Sequence, residues 1–421
     1  MHKETKRIKE QDERFPIQNA IKFLLAFFVL SMAWGCSNYS ARQGPPKPLL
    51  HAQQEIPEEQ LLDVGIMVFD IGELTEKEAK KEGTTVDVRK AESHFIPYHL
   101  KNTLQQSSHW GSVRVTPAET DTVDVLVRGE ILESNGAKLA LRIEVLDASG
   151  KRWFRKTYKE KVTVDAYREN IPRQKDPFQS IYHLIANDMA KYKLKLKPKK
   201  IANIRSISKL KFAGDFAPDA FGDYLKKKRK NILVVNRLPA DGDPMMKRLL
   251  LIREREYMYV DTLNEYYESY YNDMWPTYEN WRKLNLSEQA ALEKVRRDAF
   301  IRQAGGVLMV ALAIALEAKD VENTNILKGA LVVAGGQVFM SGINISKQAD
   351  MHKAAIQELS ESFGNEMKPI VMEFQGKKYE LSGSAEEQYA RWRELLREIY
   401  YAETGFDKPD TQTQTPADSS S

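Results

Sequence analysis

The chain has 421 residues, 42% of them hydrophobic and 10% aromatic, which is enough for the cores of two or three domains and too apolar for a disordered protein. Lys plus Arg number 63 against 59 Asp plus Glu, a formal net charge of +4, so no basic excess marks a nucleic-acid footprint. A single cysteine excludes a disulfide within the chain, and stability has to come from packing.

Residues 23–36 read Phe-Leu-Leu-Ala-Phe-Phe-Val-Leu-Ser-Met-Ala-Trp-Gly-Cys, an apolar run that ends on that cysteine and follows a cationic flank closed by Lys22. The run is well short of the ~20 residues needed to span a bilayer and fits the core of a signal peptide. Gly35 and Cys36 match the end of the bacterial lipoprotein signal, which this segment resembles. Ala33 stands where Leu is usual in that pattern, and Trp34 where a small residue is usual. The resemblance implies a signal peptide over 1–35 cut after Gly35, and a covalent lipid on Cys36 with no other cofactor. It also implies a bacterial envelope protein, and Ser37, being other than Asp, implies the outer membrane facing the periplasm. Alternative readings are a free thiol at Cys36 or a buried helix over 15–35. The second lacks the polar face a soluble helix needs.

Residues 36–60, with Gly44, Pro45, Pro46 and Pro48, read as a flexible tether. An α+β domain is expected over 61–197. Its elements are a buried strand at 64–69, an amphipathic helix at 90–106 and a short strand at 112–115. Three strands follow at 123–131, 138–146 and 152–162, turning at Asn135-Gly136 and Ser149-Gly150. Asn-Gly predicts a tight hairpin in which both turn positions take positive φ. Arg142 and Glu144 alternate with Leu141, Ile143 and Val145, so one face of this meander is wet. A helix at 176–192 is predicted to open with Asp176 as N-cap and Pro177 in its first turn, burying Ile181, Ile185 and Met189. This element order resembles the amino-terminal domain of TolB and the periplasmic body of CsgG-type lipoproteins, which implies a small sheet backed by helices.

Residues 198–212 are expected to be a basic linker, solvated or touching anionic headgroups, followed by a mainly helical domain over 213–346. Helices are predicted at 217–230, 243–274, after Pro276 and at 287–303. The long one is rich in aromatics, and Tyr266, Tyr267, Tyr270, Trp275 and Trp281 are candidates for contact with a partner or a glycan, because such rings stack and hydrogen-bond. Their helical spacing also fits core packing or a partner helix. An Ala/Gly-rich apolar hairpin is expected at 304–345, with arms 304–316 and 329–343. A buried core hairpin, an oligomer contact and membrane insertion all fit such arms. The alternation of a pore-forming β-hairpin is absent from them, which argues against a channel.

Residues 347–406 are read as a helix, a β-hairpin over 370–381 turning at Gln375-Gly376, and a docking helix opened by the capping box Ser384/Glu387. Residues 407–421 read as a disordered tail. The specific catalytic and nucleotide-binding motifs are missing from the sequence, and His94 and His99 lie five apart, an interval that turns them to different helix faces. The function expected is therefore non-enzymatic: an interaction or assembly factor anchored by lipid, with periplasmic or outer-membrane proteins as partners, possible self-association and no nucleic acid. The alternatives are a peptidoglycan-binding or wall-processing protein using the aromatic helix, and an oligomeric membrane-associated secretion component.

Overall fold

The computed structural model describes residues 47–316 apart from 121 and 168–175, residues 370–405 apart from 375 and 376, and scattered positions between 351 and 358. Gly35, Cys36, the second arm of the expected hairpin, most of the helix expected near 347–366 and the tail lie outside the described residues.

The fold is α+β, as the element order predicts. β1 (Val64–Met67) sits inside a five-stranded mixed sheet, parallel to β2 (Val113–Thr116) on one side and to β3 (Val125–Ser134) on the other. β3, β4 (Lys138–Asp147) and β5 (Arg152–Lys161) form the predicted antiparallel meander, giving the order β2-β1-β3-β4-β5. Leu141, Ile143 and Val145 are fully buried. On the opposite face, Arg128, Glu144 and Arg152 form cross-strand ion pairs at 3.6 and 3.0 Å.

Between β1 and β2 run α1 (Glu76–Glu82) and α2 (Val86–Gln106). Thr75 opens α1 with a capping box, and Thr85 caps α2 by accepting from the Val88 amide. Pro97 lies inside α2 and removes the amide that would bond the Ser93 carbonyl. The Phe69 amide takes that carbonyl instead, at 3.0 Å, so the proline frees a group that ties the helix to the chain leaving β1.

The Asn135-Gly136 turn departs from the predicted type: neither residue has positive φ. The Asn135 carboxamide oxygen accepts from the Ala137 and Lys138 amides, both at 2.9 Å, closing the turn from its own side chain. Gly136 is required for a different reason, because a methyl there would overlap the Arg282 carbonyl of a helix laid across the turn.

α3 (Gln179–Lys193) buries Ile181, Ile185 and Met189 as expected, but its N-cap is Phe178, and Asp176 has another task described below. The basic stretch read as a linker is helical: α4 (Pro198–Phe216) buries Ile201, Ile204 and Ile207 and turns its cations outward. The helix expected over 217–230 is replaced by a single turn, α5 (Pro218–Phe221), and a small hairpin of β6 (Leu225–Lys227) and β7 (Leu233–Val235).

Where breaks were predicted at Pro276 and before 287, one helix continues: α6 (Pro244–Leu316), 73 residues, about 110 Å at the usual rise. Pro276 sits on the exposed side, while Trp275, Tyr278 and Trp281 pack on the buried side. That packing outweighs the ~3 kcal/mol an internal proline costs. β8 (Ile370–Phe374) and β9 (Lys377–Leu381) form the predicted hairpin. Ser384 opens α7 (Ala385–Thr404) with the predicted capping box. Tyr389, Trp392 and Leu396 dock α7 on α6, and Asp215 of α4 takes Arg393 and Arg397 at 2.7 to 2.9 Å. Pro45–Ser421 forms one compact unit. Among the described residues, no helix is long and apolar enough to cross a membrane.

Candidate functional site

The aromatic stripe of α6 faces inward. Tyr267 and Trp281 are completely buried, Tyr270 and Trp275 are about 5% exposed, and Tyr266 is half-buried against the core. Their partners lie on α2, which runs antiparallel to α6. The Tyr270 hydroxyl donates to the Ala91 carbonyl, Tyr271 stacks on Phe95 at 4.6 Å, and Trp275 lies 5.7 Å from Phe95. The contact with a glycan or a partner expected of these rings is therefore corrected for the buried four, because their faces are already covered by the chain's own core.

α6 also covers a sheet edge. Asn264 accepts from the Val115 amide and donates to the Val115 carbonyl, both at 2.9 Å, as a neighbouring strand would. Arg114 is held by both oxygens of Asp261, at 2.6 and 2.9 Å. The other edge, β5, carries Arg152, Arg155, Lys156, Lys159 and Lys161, a cationic row of the kind that discourages pairing with further strands.

Where α6 leaves the sheet, a buried polar clamp holds it. Arg282 and Asp176 form an ion pair at 2.8 Å with both side chains at 2% exposure or less. Burial pushes the Asp176 carboxyl up, but Arg282, helped by His99, more than reverses this and holds it below the usual value. Arg282 also lies 4.3 Å over the Tyr278 ring. The Tyr278 hydroxyl donates to Glu92 at 2.6 Å, and Ser134 donates to the same carboxylate. Arg89 bridges Glu92 and Glu82, at 3.1 and 2.9 Å, and reaches the Ile131 and Ser134 carbonyls. Asn285 donates to the Gly83 carbonyl at 2.7 Å. Each buried charge has a partner, as burial demands.

A second fixture lies on α3. Residues 47–52, part of the expected tether, are a docked strap. Asn187 donates to the Pro48 carbonyl at 2.9 Å and accepts from the Leu50 amide at 2.6 Å. His183 bonds the Lys47 carbonyl, His51 bonds the Gln106 carbonyl, and the Ala52 amide donates to the Ser107 carbonyl. Farther on, Arg205 donates to the Glu58 carbonyl. The tether expected over 36–60 is thus tied down from Lys47 onward. Burial lowers the pKa values of both His183 and His109, and Lys193 and His51 push His109 lower still. Lys193 donates to the His109 carbonyl, and burial brings its ammonium down to about 8.

Between α2, α3 and α6 opens a cleft of about 310 Å³ lined by Tyr98, His99, Asn102, Gln105, Gln179 and Glu268. His99 is bonded at both ring nitrogens, to Tyr271 at 2.7 Å and to Gln179 at 2.8 Å, and burial lowers its pKa. Both ring nitrogens are thereby occupied within the core. Among the described residues, no group of three or more His, Cys, Asp or Glu side chains is placed to share a metal.

No family model matches the chain, and no curated protein matches it. Among solved structures, a point variant of the PelC dodecamer from Paraburkholderia phytofirmans aligns at 15% identity over 36% of this chain and 96% of that one, with a TM-score of 0.19. A likeness that slight carries no argument about fold or function.

Reading the sequence alone misses the clamp and the strap. Asp176 carries the signal of a helix cap, and nothing local distinguishes a cap from a buried ion-pair partner 106 residues away from Arg282.

Proposed function

We propose that the chain is a lipid-anchored protein of the bacterial envelope that acts without catalysis, as an interaction or assembly factor on the periplasmic side of the membrane. The observation that carries this reading is the placement of the only cysteine behind Gly35, at the end of a signal-length apolar run with a cationic flank. Acylation there with more than one chain makes a lasting anchor, at ~0.8 kcal/mol per buried methylene. Ten residues lie between Cys36 and Lys47, a span of at most about 40 Å, so a lipid on Cys36 would keep the strap near the membrane. The one enclosed histidine of the cleft is already bonded at both nitrogens, which favours a binding role over an enzyme.

The test is labelling with radioactive palmitate in growing bacteria, wild type against Cys36→Ser, followed by fractionation of the envelope. Label on the wild-type chain alone, in the membrane fraction, supports the reading. An unlabelled wild-type chain among the soluble proteins refutes it.

A further inference from the structure

The near balance of charge over the whole chain hides a strong segregation. Residues 148–159, 189–214 and 224–240 hold 20 of the 63 cations and none of the 59 acids, so the rest of the chain carries a formal charge of −16. The fold brings parts of these three segments to one corner of the sheet. The Leu233 amide of β7 donates to the Ser149 carbonyl in the β4–β5 turn at 2.9 Å, and the Asn231 carbonyl oxygen lies 3.6 Å from where a methyl on Gly150 would stand. Tyr192, near the end of α3, stacks on Trp153 at 4.7 Å, just past that turn.

The β6–β7 hairpin is the most charged part of this corner. Lys226, Lys227, Lys228, Arg229 and Lys230 stand in succession and are all exposed, as is Lys151 in the neighbouring turn. Leu225, Leu233 and Val235 rest against the core and fix the base of the hairpin, and the Lys228 amide closes its tip on the Ile232 carbonyl at 2.8 Å. At the tip Lys230 and Asn231 both have positive φ, 64° and 58°. The left-handed region favours Gly, Asn or Asp and crowds the Cβ of a lysine. The turn thus keeps a cation where its backbone favours another residue.

Solvation alone does not explain the run. Cations around the sheet are matched with acids: Arg142 with Glu130, Arg128 with Glu119 and Lys156 with Asp188. Among the described residues, no carboxylate pairs with residues 226–230. The acids nearest in sequence are engaged elsewhere, Asp223 by Arg237 at 2.8 Å and the buried Asp147 by Ser149 and Trp153. Single lysines suffice to protect a strand edge, whereas successive ones repel each other. Four of the five are lysines, point charges without the planar fork with which arginine grips one phosphate, and the run holds no aromatic ring on which a base could stack. Every residue from 226 to 231 is exposed, which suits a broad surface rather than a strand held in a groove. A dense positive patch with no fixed geometry fits the headgroups of anionic lipids, where each nearby cation adds to the attraction.

We propose that the β6–β7 hairpin, with Lys151 beside it, is a contact surface for anionic phospholipid headgroups. The inference rests on the anchoring reading above, which puts a bilayer next to the protein. It adds an electrostatic hold on the folded body that salt weakens.

The test uses the full-length lipidated chain in vesicles of phosphatidylcholine, alone or with about 30% phosphatidylglycerol, and reads tryptic cleavage within 226–230 against cleavage at the exposed Lys378. On the anionic vesicles, cleavage within the run should slow about tenfold relative to Lys378, and about 0.5 M salt should abolish the difference. Lys226→Gln with Lys227→Gln should bring cleavage after Arg229 back to within about twofold of its rate on neutral vesicles. Equal cleavage on both kinds of vesicle, in a chain that carries palmitate, would overturn the inference and leave the anchor intact. So would protection on native envelopes that vanishes on vesicles made from their extracted lipids, which would give the hairpin a protein or glycan partner instead. A chain without palmitate would refute the anchor and this inference with it.

Discussion

The clamp and the strap each tie a departing segment to the same sheet and helices, with opposite physics. The clamp uses buried charge and aromatic rings: Arg282 and Asp176 are withdrawn from water, and the guanidinium lies over Tyr278, which stacks on Trp281. Removing one member leaves an uncompensated charge in a low-dielectric interior. The strap uses part-exposed hydrogen bonds from Asn187 and His183 to backbone groups, with Leu49 resting against the core. Each such bond nets only ~1 kcal/mol. A rigid exit for α6 and a yielding one for the leash follow from where each set of contacts lies relative to water.

The comparison breaks first at the clamp. Arg282→Met should cost about 3–5 kcal/mol in urea unfolding, and adding Asp176→Leu should recover most of it. A single-variant loss under about 1 kcal/mol would show that the ion pair does not hold the helix. Next comes the covered sheet edge, where Asn264→Leu strips the buried Val115 amide and carbonyl of their partners. It should lower stability by about 1–3 kcal/mol, whereas an unchanged midpoint would mean that water satisfies the edge.

Acidification sharpens the contrast. His109 and His183 have docked pKa values below the ordinary ~6.5, so the docked state binds fewer protons than the released one. Strap docking is then complete above pH ~6.5 and is lost as pH falls from there through the lowered values, with Lys193 and His51 adding repulsion on His109. Hydrogen exchange at the Ala52 amide should speed up on moving from pH 7.5 to 5 after correction for intrinsic rates, while the Asn264 side of the molecule stays protected. Uniform exchange changes would remove the strap as the sensitive element. The smallest effect is expected of Asn187→Ala, which should leave global stability within about 0.5 kcal/mol yet accelerate exchange at the Leu50 amide about fivefold.

Much of the secondary structure was legible from local chemistry. The β3–β4–β5 meander shows in its alternation, and the α7 start shows in Ser384 and Glu387, which meet within one turn of helix. α4 was also written in the chain, since Ile201, Ile204 and Ile207 recur every third residue, but the surrounding lysines drew the reading toward a linker. Pro276 misled in the opposite direction: a proline stops a helix only when packing on the far side is too weak to hold it, and that packing comes from α2, some 180 residues earlier.

What the sequence by itself determined is the set of short-range choices: strand alternation, caps, and the apolar run ending at Cys36. These depend on neighbours a few residues apart. Tertiary structure alone decided that Gly136 is small because a helix backbone crosses it, that Asp176, which accepts from the Phe178 amide through one oxygen, pairs with Arg282 through the other, and that the α6 aromatics face inward. Such facts turn on burial and on direction in space, and a linear spacing holds neither.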